Sequence, residues 1–319
     1  MSIHVYWGQL FIIPTGVLKE VISVCRCFLW TGTYNNTKAC AIAWADMCKT
    51  KKAGGLALRD VLKWNTAAVS KLVWSIAQKK DNLWIKWVNS IYIKESNWRE
   101  YVVPSNVSWT WKSICKAKEE LSNWLGNDLW LTYNVFSIKK HYVNTLGQAT
   151  AQQWAYSVWN RYNIPKHRFI LWLAVQDRLK TRERLSRIGV SDSDRCLLCQ
   201  QHSENMDHLF FRCHFSAQCI RDVLSWLNIT WNGRAGILQL YRRIRGPYAG
   251  TKFRKHVTFA AIAAVVYLIW KNIYSAYWED VIHTIACTVK NLKSIVKARI
   301  SQIMSSKVSH SDQNWFANL

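Results

Sequence analysis

The stretch RCLLCQQHSENMDHLFFRCHF, from Arg195 to Phe215, gathers three cysteines and three histidines within a short span. A Cys-x2-Cys pair can direct two thiolates at one ion, and a histidine and a cysteine further along can complete a tetrahedron. Thiolates combined with one imidazole suit zinc, and four protein ligands leave no coordination position for water. The pattern therefore predicts a structural zinc site with the ligands Cys196, Cys199, His208 and Cys213.

The same Cys/His stretch has to be weighed against roles that need no zinc. A redox pair is disfavoured because no βαβ pattern surrounds Cys196 and Cys199, and a catalytic Cys–His pair would not need the further cysteines. Chance clustering of buried cysteines without a metal stays open. His202 and His214 are alternative imidazole ligands. His208 is favoured because the sequence around it is typical of a helix start, which would turn the ring inward.

The composition is that of a globular chain with an apolar interior. Half of the 319 residues are hydrophobic, 19% are charged and only four are proline, which suits one large domain or several small ones. The sequence also holds twenty tryptophans. Each brings a large apolar area with one N–H group, so we expect most of them in cores, while a few exposed rings could stack on nucleic-acid bases.

The charge of the chain favours a polyanionic partner. The sequence has 43 Lys and Arg against 19 Asp and Glu, a formal net charge of +24. Such an excess is typical of proteins that bind nucleic acid or, as the second choice, an anionic membrane surface. Just before the Cys/His stretch, five basic residues can share one solvent side and contact phosphates; the alternative is an ordinary solvated face. These predicted nucleic-acid-binding residues are Arg178, Lys180, Arg182, Arg184 and Arg187.

The apolar periodicity predicts a mainly α fold, with helical bundle regions, a short β-hairpin and a small zinc-stabilised module. The hairpin is predicted in DLWLTYNVFSI, residues 128–138, where β-branched and aromatic residues alternate. Three regions are expected: helical residues 1–125, zinc-binding residues 127–230 and basic helical residues 231–319. The predicted helices include residues 18–30, 61–78, 109–125, 139–146, 151–163, 165–176, 179–189 and 215–229.

The sequence contains no pattern typical of secretion. Its first twenty residues lack a basic start and a small-residue cleavage site, so we expect no signal peptide. The longest apolar run, His256–Trp270, is shorter than the roughly 20 residues of a bilayer span, which favours a buried helix and no membrane partner. A reducing compartment, and not secretion, is therefore expected, and the ten cysteines are not expected to form disulfides there.

Several motifs together resemble the zinc-binding domain of reverse transcriptases from plant non-LTR (LINE-type) retrotransposons. They are YNIPKHRFILWLAVQDRLKTRERLSRIGV, then CLLC, DHLFFRC and FS, with LWLTYNVFSIKKHYVNTL upstream. YWGQLFIIPTGVLKEVISVCRCFLWTG and AWADMCKTKKAGGLALRD, within residues 1–125, resemble the segment downstream of the polymerase core. Residues after 230 match more loosely. The resemblance implies one zinc ion on the same four ligands, RNA or DNA as partner, and association with a reverse-transcriptase core. It also implies a nuclear or cytoplasmic location.

Catalytic chemistry is not expected of this chain. A polymerase needs paired aspartates that hold two metal ions, and no two adjacent aspartates occur in the sequence. The four clustered acids of a ribonuclease H centre are also missing from the sequence after Cys213. We therefore expect a zinc-binding, nucleic-acid-binding module without a polymerase active site. The alternatives are a protein-interaction or scaffold module and a degenerate retroelement fragment.

Overall fold

The computed structural model describes residues 8, 12–34, 40–125, 135–147, 149–230, 236–245 and 250–319. The chain divides into two compact units, Met1–Thr150 and Ala151–Leu319. Helices dominate both units, which confirms the predicted mainly α fold class. This division falls at one place, whereas the three predicted regions meet near residues 126 and 230, and those boundaries stay a prediction.

The first unit is built around one amphipathic helix. Its helices are α1 (Thr15–Thr31), α2 (Trp44–Cys48), α3 (Val61–Ala77), α4 (Leu83–Val88), α5 (Trp109–Leu125) and α6 (Ile138–Thr145). The Asp60 carboxylate begins α3 by accepting the N–H groups of Leu62 and Lys63 at 3.1 and 3.3 Å. Helices α1, α4, α5 and α6 all pack on α3. The apolar spacing predicted from the sequence therefore marks the centre of this unit.

Aromatic rings fill much of the first core. Trp111 is buried, stacks on Tyr92 at 4.4 Å between ring centroids and donates its indole N–H to the Tyr101 hydroxyl at 3.1 Å. Trp98 packs on the same group, with its ring 5.7 Å from that of Trp111. The large area of Trp111 and its single polar atom are satisfied together here. Many of the tryptophans thus serve packing, while Trp84, Trp87, Trp109 and Trp278 remain exposed.

The second unit is built around a long apolar helix. Its helices are α7 (Ala155–Val158), α8 (Pro165–Val175), α9 (Arg182–Arg187), α10 (His214–Trp226), α11 (Ile237–Arg245), α12 (Lys252–Trp278), α13 (Ile285–Ile303) and α14 (His310–Ala317). Helices α7, α8, α10, α11 and α13 all pack on α12. Residues 257–266 of α12 are buried in succession, because neighbouring helices surround it. Such a helix is apolar on all sides.

Helix α12 also has the length and composition of a membrane span. It is the one helix of this kind in the part of the chain that the structure describes. Its 27 residues include a window of mean hydropathy 1.6, and 78% of that window is buried inside the structure. The predicted run His256–Trp270 lies within it and is extended by helix on both sides. A core helix of this burial passes the same test of length and composition.

Two local predictions, the β-hairpin and the helix over residues 151–163, are not matched by the structure. Residues 126–134, which hold most of the predicted β-hairpin, lie outside the described residues. The remaining residues 135–137 lead into α6, which begins at Ile138, so the hairpin is not supported.

The helix predicted over residues 151–163 forms only over Ala155–Val158. The Asn163 side-chain amide donates to the carbonyls of Ser157 and Val158 at 3.0 and 2.9 Å. Those carbonyls are the acceptors that a continuing helix would use.

A buried histidine makes the stability of the second unit dependent on pH. His167, on α8, is almost fully buried and stacks on Tyr267 at 4.4 Å between centroids. Burial, followed by the charge of Lys166, lowers the pKa of His167 from 6.5 to about 4. The folded state thus favours the neutral ring, so this contribution to stability is complete above pH 6.5 and is lost as the pH falls towards 4.

We predict that replacing His167 by Phe removes this dependence. Between pH 7 and pH 5 the wild type should lose about 2 kcal/mol of unfolding free energy relative to H167F, since one pKa unit corresponds to about 1.4 kcal/mol. Urea unfolding followed by circular dichroism at both pH values measures the difference. Equal losses in the two proteins would contradict the prediction, whatever their absolute stabilities.

Candidate metal centre

The first half of the Cys/His stretch is a closed loop. Arg195 and Ser203 pair as an isolated antiparallel bridge, and the Cys196 N–H donates to the His202 carbonyl at 2.8 Å. Inside the loop, the N–H of Gln200 donates to the Cys196 carbonyl at 2.7 Å. Gln200 has a φ of +57°, the left-handed conformation that turns the chain back. This closure brings the side chains at the two ends of the Cys-x2-Cys segment to the same side.

The second half of the stretch is a wide helical turn. Asn205 begins it, because its side-chain oxygen accepts the His208 N–H at 2.8 Å. His208–Arg212 forms a single π-helical turn, in which the Cys213 N–H donates to the His208 carbonyl at 2.7 Å. This turn takes one residue more than an α-helical turn. As a result the Cys213 side chain lies near that of His208, directly before α10 begins.

The four predicted ligands converge. One ligand atom each from Cys196, Cys199, His208 and Cys213 lies within 4.8 Å of every other. The Cys199 Sγ is 3.2 Å from the His208 Nε2, and the Cys196 Sγ is 4.0 Å from the Cys213 Sγ. Zinc–ligand bonds of about 2.3 Å to sulfur and 2.0 Å to nitrogen place tetrahedral ligand atoms about 3.5–3.8 Å apart. The donor set and its spacing therefore fit a four-coordinate zinc-sized ion.

Two of the four predicted ligands, Cys213 and His208, have protonation states that suit a metal, whereas the hydrogen bond to Cys213 and burial raise the pKa of Cys196. The Cys196 thiol donates to Cys213, and this hydrogen bond is the largest cause of a lowered pKa at Cys213. The N–H groups of Ser216 and Phe215, in the first turn of α10, lower it further. Burial lowers the pKa of His208, which keeps the imidazole neutral and its Nε2 lone pair available. Thiolates and neutral imidazoles are the forms that bind metal ions.

The alternative imidazoles are placed differently. The His202 ring lies 5.2 Å from the His208 ring and is exposed, and His214 is exposed at the start of α10. Neither belongs to the convergent set. The apolar residues behind the site are few: Leu209 and Phe210 are fully buried, whereas the other apolar side chains of the loop are half-buried. So small a shell gives the loop little stability by itself, which couples its folding to a bound ion.

A buried carboxyl connects this loop to α9. Glu204 is fully buried, and its Oε1 accepts the Arg182 N–H at 3.0 Å, at the first residue of α9. This bond replaces the cap that Thr181 does not supply. Burial raises the pKa of Glu204 from 4.5 to about 7, in spite of the N–H groups and the positive charge of Arg182. The carboxyl thus fixes α9 to the loop at an electrostatic cost. The sequence pattern did not reveal it, since one Glu in a polar loop has no distinguishing signal.

The five basic residues predicted to bind nucleic acid fall into two groups. Arg182 and Arg184 are half-buried and bond internally. Arg182 donates to the Arg195 carbonyl at 3.0 Å and to the Ser191 hydroxyl at 3.3 Å. Arg184 pairs with the Asp177 carboxylate at 2.6 Å and donates to the Asp177 backbone carbonyl. The other group is exposed and consists of Arg178, Lys180 and Arg187, the last in a surface ion pair with Glu183 at 2.7 Å.

The Cys/His group is the one candidate metal site in the described residues. Over the described ranges of the chain, no other set of three or more His, Cys, Asp or Glu side chains converges in a way that could hold a metal ion. The described ranges include all ten cysteines, and none of them forms a disulfide. Within these ranges, the candidate metal ligands are therefore confined to this loop.

Comparison with known proteins gives a family model and two curated relatives. The model, described as zinc-binding in reverse transcriptase, matches residues 136–219, which include all four converging ligands. A domain of this kind is a zinc-binding region rather than a catalytic one. An uncharacterised mitochondrial protein of Arabidopsis thaliana is 30% identical over 126 residues, which are 39% of this chain and 82% of that protein.

A second relative is much longer than the matched segment. It is an Arabidopsis thaliana protein with a provisional ribonuclease H name, 32% identical over 119 residues. These residues are 35% of this chain and only 18% of the relative. Most of that relative therefore lies outside the comparison.

The buried Glu204 yields a prediction with the opposite pH dependence to that of His167. Its pKa is raised in the folded state, so its contribution to stability is complete below pH 4.5 and is lost as the pH rises through 7. Glu204→Gln keeps the acceptor for the Arg182 N–H and removes the ionisation. We predict that E204Q gains roughly 2 kcal/mol on the wild type between pH 5 and pH 8 in urea unfolding with excess zinc.

Glu204→Ala is the matched variant, because it removes the acceptor as well as the charge. It should be less stable than E204Q by about 1–3 kcal/mol at both pH values, since the Arg182 N–H is then left without its partner. A difference between wild type and E204Q that does not change with pH would contradict the assignment.

Proposed function

This chain belongs to the retroelement-derived family of proteins that carry the zinc-binding domain of reverse transcriptases, and from that premise we propose that it binds one zinc ion and holds nucleic acid by phosphate contacts. The observation that carries the proposal is the convergence of three sulfurs and one imidazole nitrogen within 4.8 Å. Zinc suits this donor set, and the ion would act as a structural clamp because all four positions are filled by protein.

The clamp acts on the neighbouring basic helix through this chain's own residues. Cys196 lies directly after Arg195, whose carbonyl accepts from the Arg182 side chain. Glu204, between the two pairs of ligands, accepts the Arg182 N–H at the start of α9. Closing the loop therefore fixes both ends of the Arg182 connection. In this proposal zinc sets the orientation of α9 and of the cations beside it.

Three of the five predicted residues carry the phosphate contacts in this proposal. Arg178, Lys180 and Arg187 present charged groups to solvent, whereas Arg182 and Arg184 use their guanidinium groups to hold the loop and the start of α9. Contacts from such exposed cations are electrostatic and carry no base information. RNA and DNA are both suitable ligands, and the net charge of +24 gives the chain a long-range attraction for either.

We propose that this chain acts together with a polymerase and is not itself one. The sequence has no adjacent aspartates for a two-metal centre, and the name ribonuclease H belongs to a relative of which the match spans 18%. The proposed role is a nucleic-acid-binding module that associates with a reverse-transcriptase core. It acts in the nucleus or cytoplasm, without a membrane partner and without polymerase or nuclease activity of its own.

We predict one equivalent of zinc in the purified wild-type chain. Cys199→Ser and His208→Ala should each lose it and unfold partly around residues 195–215, because removing one of four ligands leaves a buried thiolate uncompensated. Inductively coupled plasma mass spectrometry gives the metal content, and near-ultraviolet circular dichroism gives the packing.

Cys219→Ala is the matched control for metal content. Cys219 is fully buried on α10, six residues after Cys213, and does not belong to the converging set. It should keep the zinc even if its stability falls. Wild-type protein without metal, or loss of metal in the Cys219 variant as well, would defeat the zinc assignment.

Binding to nucleic acid should be strongly dependent on salt. Labelled single-stranded RNA titrated by fluorescence anisotropy should bind more weakly as KCl rises, with a log–log slope of about −0.7 per phosphate contacted. The double variant Arg178→Gln/Lys180→Gln should bind several-fold more weakly and reduce the slope by about 1.4.

Lys63→Gln/Lys112→Gln removes the same charge from exposed positions on α3 and α5 in the first unit. This control should change affinity by less than about twofold. Wild-type chain without salt-dependent affinity would leave the scaffold function as the better description. Equal losses of affinity in the two double variants would show that binding depends on the overall charge of the chain and not on Arg178 and Lys180.

A further inference from the structure

A group of exposed aromatic and aliphatic side chains lies at the end of α12 in the second unit. Five of the exposed large hydrophobic residues in the described parts of the chain fall within nine positions there, and we call them the aromatic patch: Tyr274, Tyr277, Trp278, Val281 and Ile282. Trp278 is 68% exposed and Tyr274 is 55% exposed. The core of the unit surrounds an earlier part of α12, residues 257–266, so the patch lies outside that core.

The rings of the aromatic patch contact one another. Tyr277 packs edge-on against Trp278, with ring centroids 4.9 Å apart, and the Tyr274 ring lies 6.2 Å from that of Trp278. The indole therefore has a tyrosine neighbour on two sides while most of its surface faces solvent. Grouped Trp and Tyr rings are typical of interface hot spots, because they bury a large area at a small cost in conformational entropy.

The turn after α12 holds the aliphatic part of the patch. The Val281 N–H donates to the Ser275 carbonyl at 3.3 Å, and the His283 N–H donates to the side-chain oxygen of the buried Asn272 at 3.3 Å. Ile282 lies between these two anchored residues. The patch is thus a preformed surface, and covering it requires little further ordering of the chain.

Charges of opposite sign lie at the two ends of the patch. Lys271 shares the solvent side of α12 with Tyr274 and Trp278, since these three residues are exposed whereas residues 272, 273 and 275 are buried. Glu279 and Asp280 are exposed directly after Trp278, and they are the only acids in the sequence between residues 234 and 307. Neither they nor Lys271 form an ion pair within the described ranges.

This order of charges is complementary to itself. Lys271 and Glu279 lie four residues on either side of Ser275. A second copy of α12, packed antiparallel about a two-fold axis at this point, would set Lys271 of one copy opposite Glu279 of the other. The rings between the charges would meet across the axis. The patch therefore carries both halves of a symmetric contact.

Single-stranded nucleic acid fits the aromatic patch less well than a second copy does. The carboxylates of Glu279 and Asp280 repel phosphates beside the most exposed ring. Val281 and Ile282 add apolar area but offer no ring on which a base could stack. Aromatic and aliphatic residues together, with charges only at the rim, are typical of a contact between proteins.

We propose that the aromatic patch is the contact surface of a homodimer, formed by two copies of this chain that pack antiparallel through the ends of α12. Burial of the apolar side chains supplies the affinity, and the Lys271–Glu279 pairs fix the register. The surface is small, so association is weak and reversible, with a dissociation constant on the order of 10 μM. The dimer does not depend on the proposed nucleic-acid function.

Sedimentation velocity of the full zinc-loaded chain, from about 1 to 100 μM protein in about 0.3 M KCl, tests the contact. Salt at this concentration screens the repulsion between two chains of net charge +24. The wild-type mass should rise from 37.3 kDa towards twice that value. Trp278→Ala should weaken association by at least about tenfold. The control Trp109→Ala removes another exposed ring, from α5 in the first unit, and should leave association unchanged. Circular dichroism and zinc content verify that each variant is folded.

An exchange of charges tests the antiparallel register. Lys271→Glu and Glu279→Lys should each weaken association by about tenfold, because each sets like charges opposite each other. The double variant Lys271→Glu/Glu279→Lys restores the pairs with their signs exchanged. It should associate to within about threefold of the wild type, since the two substitutions are coupled across the axis.

Three results would overturn the proposal. The first is a wild type that stays at 37.3 kDa over the whole concentration range. The second is a dimer that Trp278→Ala leaves unchanged, and the third is a double charge variant that associates no better than its two parents. If the wild type is monomeric and Trp278→Ala instead weakens RNA binding without changing its salt slope, the rings stack on bases and the occupant is nucleic acid.

Discussion

The structure around residues 195–215 depends on bringing three sulfur atoms and one imidazole nitrogen within bonding reach of a common centre. Backbone geometry accounts for most of this convergence. A closed loop aligns the Cys-x2-Cys pair, and a π-helical turn brings Cys213 close to His208. Neither element is stable alone, because the loop encloses only two fully buried apolar side chains of its own, Leu209 and Phe210. A bound cation would offset the cost of gathering thiolates, and metal affinity and local folding would then be one equilibrium.

Glu204 extends this constraint outwards. A fully buried carboxyl whose pKa lies near 7 holds the helix end at a cost in free energy. It persists because the Arg182 N–H would otherwise be a buried donor without a partner, and because the Arg182 side chain is committed to the same loop. The orientation of α9 is thus over-determined. Such redundancy holds the start of α9 in one arrangement relative to the loop.

The sequence predicted what depends on short spacing. The four ligands lie within 18 residues, and the amphipathic pattern of α3 and the apolar run of α12 are likewise local, so composition and periodicity were sufficient to predict them. The helix predicted over residues 151–163 was wrong because the Asn163 side chain captures two helix carbonyls, a competition that periodicity does not register. The contact of Arg299 with the Arg161 carbonyl could not be predicted from the sequence, since it follows only from the packing of α8 and α13 on α12.

Net charge alone therefore describes this chain poorly. Of five arginines and lysines chosen from a basic segment, two are engaged in holding the protein together and three face solvent. Elsewhere in the same unit, Arg161 and Arg299 likewise donate to backbone carbonyls, those of Ile303 and Arg161. A guanidinium group that already donates to backbone carbonyls gains little from a phosphate. A cation that faces solvent can form a charge-assisted hydrogen bond with it. In the proposed function, the distribution of internally bonded and exposed cations, more than their number, determines where a polyanion would bind.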